Sequence, residues 1–178
     1  MGLKISFELD DEDLEHFRLI MLHARHAVAK KPPEEIVATA NRLLQDIEAQ
    51  RTPGFITDRL QKLKRMMQMI SDVDWRLPHQ EVSRVLNALA YFAEPDDLIP
   101  DEIPGIGYLD DAIMIELVVR ELIHEIDAYE EFCVYREEKT QGGEKDLAAI
   151  REELLERMRE RRENDLQNLK ARTLRILE

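Results

Sequence analysis

Apolar residues recur along this chain at steps of three and four, the spacing of one face of an α-helix. Leu14, Phe17, Met21, Ala24 and Val28 predict a first helix over about residues 11–30, with Asp10 or Asp11 as its cap and further acids in the positive first turn. Pro32-Pro33 stops that helix and opens a second, which ends near Arg51, before Thr52-Pro53-Gly54. Ile56, Leu60, Leu63, Met67 and Ile70 mark a third, about residues 55–72. Val82, Val85, Leu86, Leu89 and Phe92 mark a fourth, opened by Pro78 and closed by Glu94-Pro95. A linker bearing proline and glycine, residues 95–107, leads into a fifth helix, about 109–138, striped by Ile115, Val119, Leu122, Ile126, Tyr129 and Cys133. Its first third is apolar nearly all round, which predicts a central, buried position. After Thr140-Gln141-Gly142-Gly143, a sixth helix over about 144–177 carries a seam of Leu147, Ile150, Leu154 and Met158. Arg161 and Arg162 interrupt the seam before Leu166 and Leu169 resume it, too broken a pattern for a coiled coil and better suited to a docking or projecting helix. Ile5 to Leu9 alternates like a short strand, with no second strand in the pattern to pair with it.

The expected fold is therefore all-α. It is a bundle of five helices with a helix-turn-helix hairpin of the fourth and fifth (about 82–138) at its heart, within a globular domain of residues 1–140, followed by a long charged C-terminal helix, 144–178. Composition agrees, because 178 residues with 44% hydrophobic content can bury a real core, and only six of them are glycine. One cysteine, Cys133, excludes an intrachain disulfide. The longest apolar run, residues 112–119, is broken by Glu116 and falls well short of the ~20 residues of a membrane span, so integral insertion is not expected. Residues 1–13 are acidic and lack the apolar stretch of a signal peptide. The expected location is the cytoplasm.

Charge changes the picture. All of the net −13 falls on residues 94–138, with 15 acids against Arg120 and Arg136; the rest of the chain is balanced. Such a concentration repels itself, and would draw a divalent cation or a basic partner unless it is simply a solvated helix face with helix caps. It opposes nucleic acid and anionic lipid on that face, so no nucleic-acid partner is expected.

The densest signal lies where the acids begin. The sequence continues from a helix end through Pro95, Asp97, Leu98, Ile99, Pro100, Asp101, Pro104, Gly107, Asp110 and Asp111 into an apolar helix. This pattern resembles the signature of the YkvA-like family, a bacterial group of unknown function, over about residues 88–125. The resemblance implies the local helix–turn–helix fold and membrane association. Glu116, Arg120 and Glu121 depart from it, interrupting the helix that would have to insert. The residues themselves permit two readings. Prolines stiffen the turn, aspartates accept its amide hydrogens, and Asp110 and Asp111 sit in the first turn of a helix, where negative charge is favoured. Alternatively Asp97, Asp101, Asp110, Asp111 and, one turn on, Glu116 supply oxygen ligands for Mg²⁺ or Ca²⁺. Glu116 could instead pair with Arg120 at i+4, and Arg84 could neutralise the cluster.

Other candidates are weaker. Glu121-x-x-His124 is half of a di-iron helical motif and lacks its second copy. His23 and His26 lean away from the apolar stripe, and Cys133 lies on one, as a buried thiol does. Arg59, Lys62, Lys64 and Arg65 form a small basic face able to meet the acidic fifth helix, and Met66, Met67 and Met69 read as core. No phosphate loop, nucleophile elbow or Cys-x-x-Cys is present, so no catalytic residue and no organic cofactor is expected. The expected role is a non-catalytic regulatory or scaffolding module that binds another protein or itself through the acidic hairpin or the last helix. The alternatives are a divalent-metal protein and a peripheral membrane protein.

Overall fold

The computed structural model describes residues 8–28, 30–49, 53–93, 107–140 and 146–176; all its regular structure is helical, with no strand among the described residues. The helices are α1 Asp11–Val28, α2 Pro33–Glu48, α3 Gly54–Ser71, α4 His79–Ala88 with a 3₁₀ continuation Leu89–Ala93, α5 Leu109–Glu121, α6 Ile123–Thr140 and α7 Leu147–Ile176. Contacts gather the chain into two compact units. The first is Met1–Met67 with His79–Glu121, and the second is Gln68–Pro78 with Leu122–Glu178. These divisions fall elsewhere than the expected boundary between residues 140 and 144.

In the first unit Asp10 caps α1, its Oδ1 accepting the amides of Glu12 and Asp13 at 2.9 and 3.0 Å while Asp13 returns Oδ2 to the Asp10 amide at 3.1 Å. Pro33 opens α2, whose Ile36, Ala40, Leu44 and Ile47 are buried at helical spacing. The centre of the unit is the 3₁₀ segment, which packs against α1, α2, α4 and α5 and buries Leu89, Ala90, Tyr91 and Phe92. The fourth helix was expected to stay α-helical to Glu94. It tightens at Leu89 instead, a common device in a last turn, and here it brings four successive side chains into the core. α5 is buried as its all-round apolar start predicts, with Ala112, Met114, Ile115, Leu117 and Val118 inside.

The expected single fifth helix is two. α5 ends at Glu121, a turn at Leu122 intervenes, and α6 starts at Ile123. Arg84 meets the chain at this break, its Nη2 donating to the Glu121 carbonyl oxygen at 3.1 Å.

In the second unit α6 and α7 pack as an antiparallel pair. His124 meets Asp165, Glu125 meets Arg162, and Glu131 meets Arg157 and Arg161, so positions rise on one helix as they fall on the other. Leu154, Leu155 and Met158 of α7 are buried along with Ile126, Ala128, Tyr129 and Phe132 of α6. Trp75 is fully buried, its ring centroid 5.0 Å from that of Phe132 and 5.9 Å from that of Tyr129. The last helix thus docks through its first half.

Candidate functional site

Asp110 and Asp111 occupy the first turn of α5, as expected, but they point inward: both are buried, at 2% and 5% exposure. Buried carboxylates need compensation. The N-terminus of α5 supplies part of it, and the Tyr91 hydroxyl donates to Asp110 Oδ2 at 3.4 Å. Asp97 and Asp101, with the rest of the expected elbow, lie outside the described residues. Glu116 engages two arginines, Arg59 Nη2 at 3.3 Å from Oε2 and Arg120 Nε at 3.0 Å from Oε1. Among the described residues no group of three or more His, Cys, Asp or Glu side chains comes together to hold a metal ion.

The acidic run is extensively paired within the chain. Besides Glu116, Glu121 accepts from Arg25 at 2.5 Å, Glu125 from Arg162 at 2.7 Å, and Glu131 from Arg157 and Arg161. The expectation that the basic face of α3 meets the acidic helix holds through Arg59, while Lys64 turns to Glu48 at 3.2 Å. Arg84 serves the Glu121 carbonyl.

The half di-iron motif separates at the helix break. Glu121 bonds Arg25 in the first unit, and His124 bonds Asp165 at 2.8 Å in the second. His23 and His26 are exposed, and Cys133 is buried, as are Met66, Met67 and Met69.

The sequence pattern did not reveal a clasp in the second unit. Asp72 Oδ1 accepts the amides of Asp74 and Trp75 at 2.9 and 3.0 Å, and Oδ2 accepts from the Tyr129 hydroxyl at 2.8 Å and Arg136 Nη1 at 2.7 Å. Desolvation alone would raise the Asp72 carboxyl. The Trp75 amide, Arg136, Tyr129 and the Asp74 amide outweigh it and hold the group below its ordinary 3.8. Desolvation and then the Asp72 hydrogen bond push the Tyr129 hydroxyl up; Arg136 is raised chiefly by its bond to Asp72. Arg151 closes the clasp, donating to the carbonyls of Trp75 and, at 2.6 Å, Arg76, a residue with φ of 43°.

Beyond the Asp165–His124 contact α7 outruns its docking surface. From Glu163 to Ala171 every residue is exposed, including Leu166 at 53% and Leu169 at 61%. No helix among the described residues is long and apolar enough to cross a membrane.

A family model described as "Protein of unknown function (DUF1232)" matches residues 84–117, which run from α4 through the 3₁₀ segment to α5. The chain is 33% identical over 79 residues to the "Uncharacterized membrane protein YkvA" of Bacillus subtilis (strain 168), covering 41% of this chain and 73% of that one. No solved structure matches. By the match over residues 84–117 and by the identity shared across most of that relative's length, the chain belongs to the YkvA-like family of unknown function.

Proposed function

We propose that the protein is a non-catalytic helical interaction module that contacts another protein, or a second copy of itself, through the distal half of α7. The observation carrying this reading is the exposed stretch from Glu163 to Ala171 with two large apolar side chains one turn apart. Two large apolar side chains on one exposed helix face are what the groove of a partner would cover. The pairing of the acidic run inside the chain supports α7 over the acidic hairpin as the contact surface. The test compares the full chain with Leu166→Glu/Leu169→Glu, by sedimentation over a range of concentrations and by proximity labelling in cells. The variant should lose self-association or a discrete set of labelled neighbours. Unchanged mass and unchanged neighbours would remove the reading.

The Bacillus subtilis relative is described as a membrane protein, which supports a peripheral setting for such contacts, at the cytoplasmic face of a membrane. Flotation of the full chain with neutral and anionic vesicles tests that setting, and absence from the floated fractions counts against it.

A second reading, a Mg²⁺ or Ca²⁺ site, is favoured by one observation, the burial of Asp110 beside Asp111. On this reading Asp97 and Asp101 complete the oxygen set. Either cation should raise the melting temperature of the wild type and not of Asp111→Asn. Equal melting with and without cation would end it.

A further inference from the structure

The first unit contains a cavity of about 580 Å³, within the size range of small-molecule clefts. Leu14 of α1, Phe55 of α3, and Ile113 and Leu117 of α5 form its apolar wall. Among the described residues its charged lining is Arg59, Glu116 and Arg120, two guanidinium groups sharing one carboxylate, which leaves one positive charge in excess among them. Arg59 lies over the Phe55 ring, 5.4 Å from its centroid, and its Nε is sealed from solvent with no hydrogen-bond acceptor among the described residues. Two guanidinium groups lining one cleft favour an anionic acceptor. A second cavity of about 510 Å³ shares Leu117 and Arg120 with the first and is bordered by Leu19 and Leu22, each about half exposed, at 50% and 47%. That second lining also carries Glu15, Arg18, Arg25 and Glu121, so the leucines beyond the first cavity are interleaved with charge.

We propose that this cleft binds a single-chain amphiphile, its hydrocarbon tail against Leu14, Phe55, Ile113 and Leu117 and its anionic head, a carboxylate or a phosphate, on Arg59 and Arg120. The two guanidinium groups select for the anion, and the apolar wall selects for the chain. A neutral lipid would leave their excess positive charge unanswered, and a free inorganic anion would leave the wall unfilled.

The test titrates the full chain with dansyl-undecanoic acid, followed by dansyl emission, with competition by palmitate, hexadecyl phosphate and hexadecanol. The expected result is saturable binding of one dye per chain, displaced by palmitate or hexadecyl phosphate at least tenfold more effectively than by hexadecanol. The better of the two competitors identifies the head group. Ile113→Trp, which fills the cleft, should abolish binding, and Arg59→Gln/Arg120→Gln should weaken it about tenfold at an unchanged helical circular dichroism spectrum. Non-saturable binding, or equal displacement by hexadecanol, overturns the proposal without recourse to any variant. Dye binding that appears only after removal of residues 1–7 also overturns it, because the occupant is then the chain itself.

Discussion

The Glu125 side chain has no exposed surface, and Arg162 holds its carboxylate at 2.7 Å. Removing one partner of a buried ion pair is strongly destabilising, at about 3–5 kcal/mol. Arg162→Ala should lose that much in urea denaturation, whereas Glu125→Leu/Arg162→Leu should lose far less, because nothing charged is then left inside. Arg161 reaches Glu131 at 3.5 Å from a half-exposed position, and its replacement should cost under about 1 kcal/mol. Asp72 adds a pH dependence. Its folded pKa is depressed, so its contribution is present above the ordinary 3.8 and is lost as pH falls through the lower folded value. The melting temperature of Asp72→Asn should therefore lie below wild type at neutral pH, with the gap closing below pH 3.8. Side-chain positions set by local periodicity were legible: His23 and His26 point out, and Cys133 and the methionines point in. The Asp72 clasp was not, because Tyr129 and Arg136 lie 57 and 64 residues away and no spacing rule connects them.

At the scale of elements, every expected helix exists, with ends displaced by a few residues, and two interiors differ. The stripe Ile115, Val119, Leu122, Ile126 continues in phase through Leu122, so nothing in the periodicity marks the break there. What marks it is a guanidinium on another helix. Arg84→Met should leave the Glu121 carbonyl without that donor and lower stability by about 1–3 kcal/mol, measured by denaturant unfolding. The 3₁₀ segment was hidden for a similar reason, since Leu89 and Phe92 suit either helical type at a spacing of three. The inward turn of Asp110 and Asp111 runs against the usual exposure of acids in a first turn, and only the packing around Tyr91 and α5 reveals it.

For the molecule as a whole, the all-α class followed from composition and period, and the family followed from the run of residues around Pro95 to Asp111. The division into two units did not, because it depends on which helices meet. The concentration of acid on residues 94–138 looked like an outward field; four of its carboxylates, Glu116, Glu121, Glu125 and Glu131, are answered by arginines from α1, α3 and α7. If α7 serves as a contact surface, its exposed leucines contribute nothing to the fold. Leu166→Glu/Leu169→Glu should then melt within about 0.5 kcal/mol of wild type at concentrations where no association occurs, as scanning calorimetry on dilute samples would register.

Trp75 is the single tryptophan of the chain and belongs to the second unit. Intrinsic indole emission therefore reports on that unit, blue-shifted while the ring is enclosed by Tyr129 and Phe132. Far-ultraviolet dichroism sums every helix. If the units melt as one, the two optical transitions superimpose in urea; if the clasp yields first, emission reddens while the dichroic signal of the first unit persists.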